Sequence, residues 1–240
     1  MAGDRVLCRS LCDAVSPDAG VRLVQIKTQL AHRSNYGGKR TQKIEWIVVH
    51  YTANDGDSDE SNGRYFQQPL NPVASAHYFV DDDSITRSVP DDYVAYHCGA
   101  RTYKHPYCRN ANSIGVELCD AKRDGRVMAT DKTLQNAAEL VYSLCKQYGI
   151  PYDHIIRHYD VMGKKCPAYW VGNDGLEKFR KQVEEVGEVV EKSYMIVDGK
   201  KVPVQRILKN GTNYVKIRDV AKALDLEVGF QGNIATLKRK

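Results

Sequence analysis

The sequence lacks two features that would direct the protein into or across a membrane. None of its apolar runs reaches the ~18 to 20 residues that a membrane-spanning helix needs. Residues 1–8 contain no continuous apolar stretch of the kind that a secretory signal peptide carries. The sequence therefore predicts a protein that has no membrane span and that is cytoplasmic when it is synthesised.

The sequence also lacks any Cys-x-x-Cys pair, although it contains seven cysteines. An odd number of cysteines without a signal peptide favours a reducing compartment and free thiols. Most of the cysteines are therefore expected to be small buried packing residues: Cys8, Cys12, Cys98, Cys108, Cys119 and Cys145. A bridge between Cys98 and Cys108 stays an alternative if the protein meets an oxidising exterior.

What the sequence does contain is enough apolar material for one good core. Its 240 residues are 42% hydrophobic, which suffices for a single domain with a small appendage. Segments with strand character alternate with segments of helical period, and this predicts a mixed α/β domain. The predicted strands are residues 45–52, 74–81, 85–89, 114–118 and 155–158, and the predicted helices are residues 60–67, 130–148 and 176–192.

The chain is expected to have four parts. Residues 1–20 show no helical or strand period and predict a loosely held N-terminal extension. Residues 21–185 form the α/β domain, and residues 186–193 form a linker. Residues 194–240 predict a small α+β module of short strands, in which Asp198 and Gly199 make a hairpin turn.

The segment from Arg157 to Pro167 carries two residues that bind zinc well, a His and a Cys eight positions apart. His50 ends a β-branched run, which is typical of a buried strand that delivers a ligand at its mouth. His50, His158 and Cys166 together leave a fourth position open, as catalytic zinc sites do. From spacing alone, the commoner interpretation is a hydrogen-bonded histidine and a small buried cysteine.

Five segments in order add a resemblance to this pattern. They are residues 46–52, 75–81, 95–99, 112–118 and 157–167. In these segments the sequence resembles the zinc-dependent N-acetylmuramoyl-L-alanine amidases shared by phage lysozyme-amidases and peptidoglycan recognition proteins. The resemblance implies a mixed central β-sheet flanked by helices, a bound Zn²⁺, and cleavage of the bond between the muramoyl lactyl group and L-Ala of peptidoglycan. It further implies a phage or prophage endolysin that acts on the cell wall after release.

The resemblance also implies roles for further residues of the site. Glu117 stands where catalytic members have their general base, and Lys164 stands where a cation can stabilise the oxyanion. His97 is expected to line the substrate groove. Some active members have a Tyr near the metal at the position of Ala76, so the chain departs from their pattern there, and the offset Tyr78 is placed outside the site.

Residues 193–240 contain ten Lys or Arg and only four acidic residues, whereas the rest of the chain is close to neutral. A basic module suggests an anionic partner, here an anionic cell-wall polymer, although a solvated face without a partner is the plain alternative. The module weakly resembles copper amine oxidase N-terminal domains, but no His follows His158, so copper is not implied. It could also form a homo-oligomer through its strand edges. We expect no binding to nucleic acid, because no recognition motif is present.

Two other functions remain open. The chain could be a non-catalytic peptidoglycan-binding protein on the same fold, although Cys166 argues against this because such relatives typically lack it. It could also be a cysteine hydrolase that uses Cys166 with His158, and a chelator would then leave its activity intact.

Overall fold

The computed structural model places a six-stranded mixed sheet at the centre of one of two compact units, Leu23–Glu188. The other unit contains Val189–Lys240. The structure describes residues 24–123, 125–187, 190–209, 212–231 and 234–239. The predicted N-terminal extension, with Cys8 and Cys12, lies outside the described residues.

The strands of the central sheet are β1 (Ile26–Thr28), β3 (Trp46–Tyr51), β4 (Tyr78–Val80), β5 (Ile85–Arg87), β7 (Ser113–Leu118) and β10 (Ile155–Arg157). Their order across the sheet is β1-β5-β4-β7-β3-β10. Two small ribbons accompany it: β2 (Tyr36–Lys39) with β6 (Tyr93–Ala95), and β8 (Ala121–Arg123) with β9 (Arg126–Met128). In the central sheet, β4 and β5 pair with each other in antiparallel orientation, and the other neighbouring strands pair in parallel. The predicted mixed sheet is therefore confirmed.

The helices of this unit are α1 (Asp59–Phe66), α2 (Asp131–Tyr148), α3 (His158–Met162) and α4 (Gly175–Val186). The predicted long helix is confirmed as α2. Thr130 caps it by accepting a hydrogen bond from the backbone N–H of Thr133, and Gly149 ends it in the left-handed region at a φ of 67°. Its apolar stripe packs with α4 against the sheet in one buried cluster.

The two faces of the central strands β3 and β7 carry different sets of side chains. On β7, Ile114, Val116 and Leu118 point into the cluster under α2. The alternate residues of β7 therefore lie on the opposite face, beside the register partners that β3 presents there. The main core thus occupies one face of these strands. The other face carries a smaller buried cluster that includes Trp46 and Val48, and beyond it the polar pair His50 and Glu117.

Three predicted elements differ from the structure. The strand expected to run through His158 ends at Arg157, because the Asp160 carboxylate accepts a hydrogen bond from the Arg157 backbone N–H and opens α3 there. The helix expected over residues 176–192 ends at Val186, and the next strand begins inside the predicted linker. The strand expected over residues 74–81 is limited to β4.

The C-terminal unit contains an antiparallel sheet of β11 (Val190–Val197), β12 (Lys200–Lys209) and β13 (Thr212–Val215), the helix α5 (Ile217–Ala223), and a hairpin of β14 (Leu226–Gln231) and β15 (Ile234–Arg239). Asp198 and Gly199 both have positive φ in the turn between β11 and β12, as a two-residue hairpin requires. None of the helices in the described parts of the chain is long and apolar enough to cross a membrane.

Candidate metal centre

His50 and Glu117 lie side by side near the carboxyl ends of two central strands. They are register partners on the parallel strands β3 and β7. His50 is almost fully buried, and its Nδ1 lies 3.9 Å from Oε1 of Glu117. Both strands are hydrogen-bonded to a neighbouring strand on each side, so a rigid backbone holds this pair.

His158 and Cys166 come from the segment that follows β10. His158 is the first residue of α3, and the backbone N–H of Tyr159 donates to the carbonyl of Cys166, which folds the segment back on itself. The Arg157 guanidinium binds the Asp160 carboxylate and also donates to the Trp170 carbonyl at 2.6 Å. These bonds fix the position of the loop that carries the thiol.

The two segments bring three donor groups together. One nitrogen of His50, one nitrogen of His158 and the sulfur of Cys166 all lie within 4.8 Å of one another, and all three residues are buried. The Cys166 Sγ is 3.8 Å from His50 Nδ1. Two imidazoles and one thiol form a donor set that suits zinc.

Two polar atoms beside this cluster are buried without a protein partner. They are His158 Nδ1 and Glu117 Oε2. Buried polar atoms in native structures are rarely left unsatisfied, so each calls for a partner. A cation between the three donors would satisfy the imidazole nitrogen, and the cluster therefore fits a zinc ion.

The protonation states of the histidines also fit a metal. Burial, with the neighbouring His158, lowers the pKa of His50 well below its usual value. Burial and the charge of Lys164 lower the pKa of His158 to about 4. Both imidazoles are therefore neutral at pH 7, which is the form that binds metals.

The thiol shows the opposite effect. Burial raises the pKa of Cys166 to about 12, so the sulfur is protonated at neutral pH in the absence of a cation. A coordinated divalent metal ionises such a thiol. The raised pKa also argues against Cys166 as a free nucleophile, because the thiolate is the reactive form.

Glu117 is an unusual carboxylate. Burial raises its pKa to about 8, and the positive charge of Lys164 is the largest influence in the other direction. Lys164 itself is exposed at the rim of the cluster, so its charge reaches the site from the solvent side. A carboxyl group with a pKa near the working pH is suited to accept and return a proton.

His97 lies behind His50. Its Nδ1 is 3.0 Å from His50 Nε2, and its Nε2 is 3.1 Å from the Ser113 Oγ. Both ring nitrogens therefore have partners inside the protein. Ser113 is a residue of the site region that the sequence reasoning missed, and its place as the first residue of β7, on the same face as Glu117, was the available signal.

A second missed neighbour is Met162, whose sulfur lies 2.8 Å from His158 Nε2. The spacing of four residues within α3 was the signal that connects the two. Tyr78 was placed outside the site, and in the structure it is buried with its hydroxyl donating to the Asp91 carboxylate at 2.7 Å.

Known proteins resemble this chain in sequence. N-acetylmuramoyl-L-alanine amidase CwlL of Bacillus licheniformis is 37% identical over 204 residues, covering 80% of this chain and 56% of that protein. A probable N-acetylmuramoyl-L-alanine amidase of the same species is 41% identical over 157 residues, covering 62% of this chain and 44% of that protein. The chain thus spans about half the length of the curated relatives it matches.

The fold is found in solved structures as well. A mutant endolysin from Bacillus subtilis superposes with a TM-score of 0.56 and 26% sequence identity, covering 67% of this chain and 99% of that chain. This agreement supports the mixed α/β architecture of the larger unit.

The family described as N-acetylmuramoyl-L-alanine amidase matches residues 40–169, more than half of the chain. The matched stretch includes every residue predicted for the site and excludes residues 194–240, whose resemblance to copper amine oxidase N-terminal domains stays a prediction. The chain belongs to the N-acetylmuramoyl-L-alanine amidase family.

Proposed function

We propose that the chain hydrolyses the amide bond between the N-acetylmuramoyl lactyl group and L-Ala of bacterial peptidoglycan. The observation that carries this proposal is the convergence of His50, His158 and Cys166 next to Glu117, inside the stretch that matches the amidase family. Endolysins among the structural relatives favour a role in cell-wall degradation and lysis by a phage or prophage.

The proposed cofactor is Zn²⁺ held by His50, His158 and Cys166. When bound, zinc supplies a Lewis acid and makes a water molecule acidic enough to be deprotonated near neutral pH. The unpartnered nitrogen of His158 and the neutral state of both imidazoles support this assignment.

Glu117 is the proposed general base. Its Oε2 is free of protein partners, and its Oε1 lies beside the donor nitrogen of His50. The carboxylate takes a proton from the attacking water as the new C–O bond forms at the lactyl carbonyl. It then returns the proton to the L-Ala nitrogen as the C–N bond breaks. A nearby divalent cation would favour the ionised form of this carboxyl group, whose pKa is about 8 without it.

Lys164 is the proposed stabiliser of the negative charge that develops on the carbonyl oxygen. Its ammonium group influences both Glu117 and His158 electrostatically, which supports a position at the mouth of the cluster. A cation at that place lowers the energy of the transition state more than that of the substrate.

The decisive experiment follows lysis of purified Gram-positive cell walls by the zinc-loaded protein. We expect turbidity to fall and free L-Ala amino groups to appear without new reducing sugar. The same protein treated with a chelator is expected to be inactive until zinc is restored. Walls that are bound but never cut would instead identify a peptidoglycan-binding protein, and lysis that ignores the chelator would identify a cysteine hydrolase.

The C-terminal unit is proposed to hold the enzyme on an anionic cell-wall polymer. On one face of its three-stranded sheet, Tyr194, Ile196 and Tyr214 are more than half exposed. The Lys201 ammonium lies 4.0 Å above the Tyr194 ring on the same face. Exposed rings beside cations suit a polymer with sugar units and phosphate groups.

This docking is tested by sedimentation of the full chain with intact walls and with walls stripped of their phosphate polymer. Binding that weakens on stripped walls and at high salt is expected. Equal binding to both wall types would contradict the proposal. Concentration-dependent association of the chain in ultracentrifugation would show that the same face joins two copies instead.

A further inference from the structure

A chain of three hydrogen bonds runs from the candidate metal centre into the protein. His50 Nε2 lies 3.0 Å from His97 Nδ1, His97 Nε2 lies 3.1 Å from Ser113 Oγ, and Ser113 Oγ lies 2.7 Å from the carbonyl oxygen of Arg109. The three distances are all short enough for good hydrogen bonds. The last group in this series of hydrogen bonds is a backbone carbonyl, which can only accept. It therefore determines which atom donates in each of the preceding hydrogen bonds.

The direction follows from counting protons. The Ser113 hydroxyl donates its only proton to the Arg109 carbonyl, which at 2.7 Å is closer to Oγ than His97 Nε2 is at 3.1 Å. Ser113 Oγ must then accept from His97, which places the His97 proton on Nε2. The unprotonated Nδ1 of a neutral His97 therefore accepts from the N–H at Nε2 of His50.

The consequence for His50 is a single tautomer. With its proton on Nε2, its lone pair lies on Nδ1, the nitrogen that faces the Cys166 sulfur at 3.8 Å and Glu117 at 3.9 Å. His158 shows the same arrangement, because its Nε2 contacts the Met162 sulfur while its Nδ1 is left unpartnered. Both histidines thus present the same ring atom to the cluster.

The absence of a side chain at Gly115 leaves room for the His97 ring. A Cβ added at Gly115 would lie only 2.6 Å from Cγ and 2.9 Å from Nδ1 of His97. The His97 imidazole therefore packs directly on the β7 backbone at Gly115, between its hydrogen-bond partners Ser113 and His50. A side chain at this glycine would displace the ring.

We propose that His97, directed by Ser113, is a positioning residue that fixes His50 as an Nδ1 donor to the metal. This differs from the groove-lining role expected from the sequence, since both ring nitrogens of His97 are engaged within the protein. The inference rests on the proposed metal site and does not depend on whether the protein hydrolyses peptidoglycan. Outer partners of this kind typically change metal affinity about 10- to 100-fold.

The test measures zinc affinity by competition with a chromophoric chelator. His97→Leu keeps much of the side-chain volume but offers no acceptor, and we expect it to weaken zinc binding about 10- to 100-fold. His97→Asn returns an amide oxygen near the position of Nδ1, so it should recover most of that loss. If the His97 ring only fills space, His97→Leu should lose less zinc affinity than His97→Asn. That order of affinities would overturn the proposal.

A second measurement needs no metal. In long-range proton–nitrogen NMR spectra of the metal-free protein, His50 and His97 should both carry their proton on Nε2. Ser113→Ala leaves the ring packing intact, and it should mix the tautomers of both rings and weaken zinc binding by a smaller factor than His97→Leu does. Unchanged tautomers and unchanged affinity in Ser113→Ala would overturn the proposal even if His97→Leu fails to fold.

The exposed residue His32 supplies the matched control, since His32→Leu should alter neither property. The outcomes separate the inference from the proposed activity. A wild-type protein that binds zinc and shows the expected tautomers but cuts no wall would refute the activity alone. A His97→Leu protein that binds zinc as tightly as wild type but no longer cleaves would place His97 on the substrate and refute the inference alone.

Discussion

The two units of the chain differ in how deeply the side chains proposed for their functions are buried. In the described part of residues 24–187, the candidate metal ligands His50, His158 and Cys166 are almost completely buried. In the described part of residues 190–239, the buried hydrophobic residues are Val204 and Ala221, whereas Tyr194, Ile196, Tyr214 and Phe230 are exposed. A metal centre needs fixed donors away from water, and a docking face needs accessible rings and charges.

The same contrast holds for charge. The net positive charge of the chain is concentrated after residue 192, while the larger unit is nearly neutral and shifts the pKa values of its buried groups strongly. Buried groups with shifted pKa values therefore characterise the larger unit, and a positive surface charge characterises the smaller one. Substitutions should therefore separate cleavage from wall retention.

The largest effect is expected for Cys166→Ser. The substitution removes the thiolate donor, so bound zinc and wall lysis should both fall to background. Zinc content by atomic absorption and turbidity loss check this. Cys145→Ala is the matched control, because Cys145 is also a buried thiol but lies on α2 in the main core. Retained lysis in Cys166→Ser would mean that the sulfur is dispensable.

Glu117→Gln is expected to separate metal binding from catalysis. The amide keeps the shape of the carboxyl group but cannot accept the proton of water, so kcat should fall about 10²- to 10⁴-fold while zinc stays bound. The measurement pairs the rate of L-Ala amine release with zinc content. A variant that loses zinc as well would indicate that Glu117 acts as a ligand rather than as a base.

The neighbouring lysines provide an internal comparison. Lys164→Ala should lower kcat about 10- to 100-fold, a smaller effect than loss of a well-aligned oxyanion donor, because its side chain is exposed. Lys165→Ala should leave kcat unchanged, since Lys165 is expected to be a surface residue. Equal losses in both variants would assign the effect to the net charge of the loop.

The C-terminal face is tested by combining Tyr194→Ser with Tyr214→Ser. Both rings are exposed, so the fold should be kept while retention on walls weakens about tenfold, equivalent to roughly 1.4 kcal/mol. Cleavage of a small muramoyl-peptide should continue at the wild-type rate. A loss of small-substrate cleavage would show that the two tasks are not separate.

A separate effect concerns pH and stability. Asp59 is buried at the start of α1, where Ser84 and Thr86 donate to its carboxylate, and burial raises its pKa from 3.8 to about 6. The folded state therefore holds this proton more tightly than the unfolded chain does. Its stabilising contribution is complete below about pH 4 and is lost as pH rises through about 6.

Asp59→Asn removes this titration. The free energy of unfolding of the wild type, relative to this variant, should therefore fall between pH 4 and pH 7. Denaturant titrations of both proteins at several pH values measure the difference. A difference that is independent of pH would mean that the Asp59 carboxyl group has the same pKa in both states.

Local patterns in the sequence were sufficient for several results. The capped, amphipathic stretch of α2, the buried run of β3 and the order of the five matched segments predicted the mixed α/β fold and the amidase family. His158 and Cys166 were chosen for their donor chemistry and short spacing, and His50 for its place at the end of a strand. Capping, periodicity and ligand chemistry are properties of a few neighbouring residues, so a sequence displays them directly.

Only the tertiary structure decided how these residues meet. The register of β3 against β7 sets Glu117 beside His50, and the approach of His97 to His50 joins residues 47 positions apart. The start of α3 at His158 depends on an acidic side chain that competes with strand pairing. Register and long-range hydrogen bonds arise from contacts between distant segments, and no local pattern encodes them. The sequence by itself thus determined which possible metal ligands are present, and the folded chain determined that His50, His158 and Cys166 come within reach of one another.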